Sequence, residues 1–257
     1  MITRKELEDF SRLKGLSLGN TEKDYVIDLA LLSISHHTKN ELIFKGGTCL
    51  YKFHKLPRFS EDLDFSAVAS IDINRLILDI LSDFERFGIK AINHQKKEPF
   101  NSVLITIALE GPLFTRSPRT AAHLGIDINR QSAVYLEPEI LSYHSLYPDV
   151  PQIQVVCMKQ EEIFAEKIRA LLTRHRARDL FDLHFLLEQG ISVDRELITK
   201  KMNFYKKTFD IGEVISKVKA LENYWIKELR GFTPALPDFT TVHKNVVERL
   251  KQLYQER

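Results

Sequence analysis

The sequence predicts an α+β protein, with a mixed sheet and its helices over residues 1–150 and a mostly α-helical domain over residues 151–257. Three observations predict it. Helical and strand-like periodicities alternate through the first third, alternating polar and apolar residues dominate the middle, and helical spacing returns for nearly all of the last hundred residues.

Helices are expected ahead of the sheet. Tyr25, Val26, Leu29 and Leu32 share one helical face across Thr21–His36, with Thr21 as the cap and Asp24 in the first turn. Glu41–Phe44 is a brief apolar run and reads as a strand ended by Lys45-Gly46-Gly47-Thr48. Cys49, Leu50, Phe53 and Leu56 then resume a helical stripe until Pro57. Asp62–Ser66 alternates and reads as a strand, while Asp72–Phe87 places Leu76, Ile80, Leu81 and Phe84 on the inner face of a helix. Ile89–His94 and Val103–Leu109 flank a turn at Lys96-Lys97-Glu98-Pro99, and Leu124–Ile128 adds another alternating strand, so an antiparallel extension is expected. Pro138, Pro148 and Pro151 make 138–151 the expected linker and put the domain boundary near 150. A short strand at Ile153–Val156 then leads to helices at Glu161–Leu172 and Asp179–Leu187, and to further amphipathic helices ending at Glu256.

Composition narrows the function classes. Of 257 residues, 44% are hydrophobic and 28% charged, which excludes disorder, collagen and coiled coil. Cys49 and Cys157 lie far apart without CxxC spacing, so neither a disulfide framework nor a cysteine-rich zinc site is expected, and a reducing, cytoplasmic setting follows. The charged N-terminus lacks the apolar core of a secretory signal, and no stretch approaches the roughly 18 apolar residues of a membrane span. The net charge of +2 hides a mild asymmetry: residues 158–257 carry 19 Lys and Arg against 15 Asp and Glu, the remainder 18 against 20.

Asp62-Leu63-Asp64 is the sharpest local feature, because residues i and i+2 of a strand point to the same face. Two neighbouring carboxylates repel each other, and a divalent cation with a preference for oxygen ligands offsets that repulsion. The other reading of the pair is a solvated strand edge. Upstream, Gly46-Gly47-Thr48 stands between a strand and a helix, where backbone N–H groups and a hydroxyl can cradle phosphate; a tight turn needing positive φ is the alternative, and the two are compatible. Asp127, between Ile126 and Ile128, is a third carboxylate in mid-strand and completes a metal triad with Asp62 and Asp64.

Phe44-Lys45-Gly46-Gly47-Thr48-Cys49-Leu50, followed by Arg58-Phe59-Ser60-Glu61-Asp62-Leu63-Asp64-Phe65, resembles the AbiEii/AbiGii toxin family of nucleotidyltransferases, within the DNA polymerase β-like superfamily. The resemblance spans roughly residues 40–190, with Thr48 in a place where the wider superfamily often has serine. A second matching stretch is Lys167 on one helix and Arg176-Ala177-Arg178-Asp179-Leu180-Phe181-Asp182 on the next; some members carry lysine where this chain has Arg178. What the resemblance implies is a polymerase β-like core and transfer of a nucleoside monophosphate from an NTP to an acceptor hydroxyl, with Mg²⁺ (or Mn²⁺) on Asp62, Asp64 and Asp127. It further implies nucleotide binding by Gly46, Gly47, Thr48, Arg58, Lys167, Arg178 and Asp179, and a catalytic role for Lys167 and Asp182, with one of Asp179 and Asp182 as base. As a type IV toxin of a toxin–antitoxin or phage-defence pair, it would have an antitoxin partner, a tRNA acceptor end as substrate and GTP or a pyrimidine triphosphate as donor. The rival readings are nucleotidylation of a protein side chain and a non-catalytic nucleotide- or RNA-binding module.

Other signals are weaker. Read without the resemblance, the charged stretch after Lys167 is a surface helix with i,i+4 pairs such as Arg178 with Asp182, and Arg58 either meets phosphate or pairs with Glu61. Nine histidines show no metal-ligand spacing. Lys201, Lys206, Lys207, Lys217 and Lys219, with Tyr205, Tyr224 and Trp225, suggest a basic, aromatic RNA surface, against the alternative of solvated helix faces with core aromatics.

Overall fold

A computed structural model describes residues 1–255, which divide into two compact units, one formed by residues 1–55, 59–132 and 138–157, the other by residues 56–58, 133–137 and the described residues from 158 on. The first unit runs α1 (Arg4–Lys14), α2 (Leu18–His37), β1 (Leu42–Lys45), α3 (Gly46–Phe53), β2 (Asp62–Ala67), α4 (Ile73–Arg86), β3 (Ala91–Lys97), β4 (Ser102–Leu109), β5 (Ala122–Asn129), β6 (Glu139–Tyr143) and β7 (Ile153–Cys157). Its seven strands form one mixed sheet in the order β3-β4-β5-β2-β1-β7-β6. The β2–β5 and β1–β7 pairs are parallel and the others antiparallel.

Alternation decides which face is buried. Leu63 and Phe65 of β2, Val103, Ile105 and Ile107 of β4, and Leu124, Ile126 and Ile128 of β5 are all buried, and α2 packs against β5 and β7. The residues between them, Asp62 and Asp64 on β2 and Asp127 on β5, are thereby committed to the opposite face. Helix α2 is buried on nearly all sides, carrying Asp24 and Asp28 inward as well as Tyr25–Leu32. Those acids are paired: Lys52 of α3 sits 2.6 Å from each, the Tyr147 hydroxyl donates to Asp24 at 2.8 Å, and Lys14 also bonds Asp24.

Several expectations need correcting. Helix α2 starts at Leu18 because Ser17 accepts the Asn20 N–H as the cap, and Thr21 is a buried residue inside the first turn. Residues 138–151 are no linker: β6 lies there and pairs with β7, so the prolines punctuate a hairpin, and the change of unit comes after Cys157. Lys96 and Lys97 belong to strand β3, whose turn comes later, at Phe100 with φ of 50°. The two cysteines, distant in sequence, are free, buried neighbours, and burial together with the Cys157 thiol pushes the Cys49 thiol up.

The second unit holds α5 (Gln160–Thr173), α6 (Ala177–Glu188), α7 (Arg195–Phe204), α8 (Ile211–Ala220), α9 (Glu222–Leu229) and α10 (Phe239–Gln255). Trp225 anchors its core, with ring centroids 6.1 Å from Phe181 and 5.7 Å from Phe239. The expected helix end at Glu256 lies outside the described residues. Among them, no helix is long and apolar enough to cross a membrane.

Candidate active site

The register of the sheet assembles the acidic face. Asp64 pairs with Asp127 across the parallel β2–β5 ladder, and Asp62 pairs with Gly125. Directly opposed residues point to the same side, so three carboxylates from two adjacent strands share a patch of sheet, while Leu63 and Ile126 between them anchor its buried side. Glycines make room for two of the three. Gly46 holds φ of 77°, and a Cβ there would overlap the Asp64 carboxylate; a Cβ on Gly125 would lie 2.5 Å from Asp62 Oδ1. The oxygen-only donor set and these two cradles suit a hard divalent cation. Among the described residues no three Asp, Glu, His or Cys side chains converge into a ready-made metal cage, so the carboxylates share the face without enclosing it.

Beside them, α3 begins directly at the Gly46-Gly47 pair, and the side chain of Lys45 at its cap position makes no cap bond. Its first N–H groups are thus the orphan donors that anions neutralise at a helix start. Thr48 plays a different part from the phosphate contact expected of it: it is fully buried and its hydroxyl donates to the Asp62 carbonyl, tying α3 to the strand that carries the acids. Lys45, the residue before the glycines, is the register partner of Asp64 on β1. Neither Lys45 nor Gly125 stands out in the sequence, since each acquires its place only through strand pairing.

The remaining expected residues gather in the second unit. Arg58 and Asp182 form a buried two-bond pair, Nε to Oδ1 and Nη2 to Oδ2, both 2.6 Å. Lys167 Nζ lies 2.6 Å from Asp182 Oδ2 and 2.8 Å from Asp179 Oδ1, and Arg174 donates to Asp179 at 2.8 and 2.9 Å. Burial opposes charge on Asp179, yet Lys167 and Arg174 outweigh it and hold the carboxyl below its ordinary range. Burial likewise opposes charge on Lys167, and Asp179 and Asp182 overcome it to raise the ammonium. A carboxylate held in its charged form between two cations is a poor base, so Asp179 serves as an anchor of those cations. Asp182 pairs with Arg58 and Lys167, and Glu61 pairs with Lys23 at 2.7 Å. Arg178 stacks over Phe232, 4.5 Å from its ring centre.

Of the residues expected to make a basic, aromatic surface, Lys206, Lys207, Lys219 and Tyr224 are exposed, whereas Lys201 and Trp225 are not. Lys201 is wholly buried between Glu162 at 2.8 Å and Glu166 at 2.9 Å, and Trp225 is in the core. Buried charge demands a partner, and spacing along one helix does not reveal partners on another.

Comparison with known proteins places this geometry. No curated protein matches the chain. Among solved structures, the fold is similar to MenT4, a nucleotidyltransferase toxin of Mycobacterium tuberculosis H37Rv, with a TM-score of 0.74, 18% identity, and 100% of this chain and 91% of that one covered. It is also similar to JHP933 from Helicobacter pylori, with a TM-score of 0.62, 20% identity, and 94% and 96% covered. The model of a family described as nucleotidyl transferase AbiEii toxin, type IV toxin–antitoxin system, matches residues 30–255. The protein whose sheet sets Asp62, Asp64 and Asp127 beside a glycine-started helix therefore belongs to the AbiEii family of nucleotidyltransferase toxins.

Proposed function

We propose that the chain transfers a nucleoside monophosphate from an NTP to the 3′ hydroxyl of an RNA, a tRNA acceptor end first, releasing pyrophosphate. The observation that carries this reading is the single acidic face, Asp62 and Asp64 on β2 with Asp127 opposite on β5, next to the N-terminus of α3. Membership of a nucleotidyltransferase toxin family supports the triphosphate donor and an antitoxin partner.

In this reading Asp62 and Asp64 hold Mg²⁺ or Mn²⁺, and Asp127 orients the acceptor hydroxyl toward the α-phosphate. The cation, when bound, lowers the acceptor hydroxyl's pKa and offsets charge on the departing pyrophosphate. Gly46 and Gly47 present backbone N–H groups to the phosphates, and Thr48 keeps that helix start in register with Asp62. In the second unit, Lys167 is the proposed phosphate contact and Asp179 and Asp182 keep its ammonium charged, with Arg58 fixing Asp182. Preorganised charge supplies most of the rate in phosphoryl transfer, so the carboxylates outrank rim cations. The setting we assign is the cytoplasm, where triphosphates and RNA are both present, and the biological context is growth control or phage defence.

The test incubates purified protein with each α-labelled NTP, Mg²⁺ and total small RNA, beside Asp62→Asn and Asp64→Asn. Label on RNA from the wild-type protein and a loss of at least about a thousandfold in either variant is expected. Label on protein would overturn the RNA acceptor, and nucleotide binding without transfer to any acceptor would overturn the enzymatic reading.

A further inference from the structure

We propose that Lys45 contacts the phosphates of the donor nucleotide and, when they are absent, acts as counter-ion to the acidic face; the inference rests on the site assigned above. Lys45 ends β1 opposite Asp64, and Asp64 stands opposite Asp127, so one row crosses three adjacent strands with its side chains on one side. Directly opposed residues of this kind have Cβ atoms about 5 Å apart. The lysine is only 8% exposed, which is costly for an ammonium unless negative charge faces it, and this row provides two carboxylates.

Its position in the chain points the same way. Lys45 occupies the cap position of α3, where Ser, Thr, Asp or Asn usually accepts an N–H, and its side chain makes no cap bond. Instead Nζ reaches the Ser132 hydroxyl at a long 3.4 Å, and that hydroxyl already accepts a 2.9 Å bond from Ser66. Lys45 thus places a compact, point-like cation at the end of the row that carries Asp64 and Asp127, immediately before the glycines that start α3. An ammonium there competes with a bare metal ion for the carboxylates, yet adds to the metal in holding a triphosphate. The two ligands should therefore respond to its removal in opposite directions, which general damage to the site would not produce.

The experiment uses full-length wild-type protein, Lys45→Met and Lys45→Arg, checked for folding by circular dichroism. Calorimetry measures Mn²⁺ binding to nucleotide-free protein, and then, with Mn²⁺ present, binding of the α,β-methylene analogue of the triphosphate that donates in the labelled assay. Lys45→Met is expected to bind the analogue about tenfold to a hundredfold more weakly, the worth of one charged hydrogen bond, while Mn²⁺ alone binds at least as tightly as to wild type. Lys45→Arg should keep analogue affinity within about threefold, since the charge remains. Unchanged analogue affinity in Lys45→Met, or a parallel loss of both ligands, overturns the proposal. Should Lys45→Met fail to fold, Lys45→Gln undergoes the same two titrations with the same criteria. Failure of the wild-type protein to bind the analogue would instead overturn the site itself, so the two failures are distinct.

Discussion

Single positions in this protein are constrained by what faces them across the sheet. Gly46 needs a positive φ of 77° and space for the Asp64 carboxylate, so Gly46→Ala meets strain and overlap together. Its stability should fall by about 1–2 kcal/mol, and transfer should fall with it. Gly125 has only the second constraint. Gly125→Ala should therefore displace the Asp62 carboxylate, cutting transfer by more than about tenfold while a melting curve moves little. Equal losses of stability in the two variants would contradict this division. The Gly46-Gly47 turn and the Asp62, Asp64 pair were legible because each is a local pattern. Gly125 was not, since nothing near it in sequence says that Asp62 will stand opposite. Arg58 shows the same limit: its buried partner is Asp182, far along the chain, and Arg58→Met would leave that carboxylate without its two-bond clamp. A loss of about 3–5 kcal/mol is expected in urea denaturation.

At the scale of elements, Lys52 in the last turn of α3 ties that helix to α2. Lys52 is buried between Asp24 and Asp28, and the two acids respond to it differently. Burial pushes Asp24 up, but Lys52 and Lys14 outweigh it and bring it down to about 2. Burial pushes Asp28 up as well, and there Lys52 does not overcome it. A carboxyl depressed by folding adds stability that is present above its ordinary pKa and lost as pH falls through the folded value. Asp24 should thus stabilise the fold fully above about pH 4 and lose that contribution between about pH 4 and pH 2. Asp28 has the opposite sign, its burial cost easing as acid protonates it. Asp24→Asn should accordingly be the more damaging variant at pH 7, by about 3–5 kcal/mol, and its deficit against wild type should shrink toward pH 2. A deficit that stays constant from pH 7 to 2.5 would show that Asp24 acts by shape alone. Periodicity located most helices and strands here, but β6 was hidden by its flanking prolines, and Lys201 looked like a surface lysine because Glu162 and Glu166 sit on another helix.

For the whole molecule, the two units are not two consecutive stretches of chain. The second unit takes Leu56–Arg58 and Ala133–Glu137 as well as everything from Met158 onward. These short pieces meet charges that the helices bury. Arg58 pairs Asp182, the backbone N–H groups of Tyr135 and Leu136 donate to Glu162 at 2.8 and 2.9 Å, and the Ala133 carbonyl accepts from Lys201. Asp182 and Glu162 are fully buried, so a fragment of residues 158–257 would leave both with part of their pairing gone. Each loss costs about 3–5 kcal/mol where a buried charge loses its partner, and two such losses rival the 5–15 kcal/mol that holds a typical domain together. The fragment should therefore show no cooperative thermal transition, although its helical periodicity and aromatic core are intact. A sharp transition in that fragment, near the one seen in the full chain, would mean that the buried acids find other partners and that the short pieces are dispensable. The sequence alone suggests a cut near residue 150, because prolines and composition change there. Charge pairing argues against any single cut, since groups that neutralise the C-terminal helices are delivered by residues 56–58 and 133–137, from within the stretch that otherwise builds the first unit.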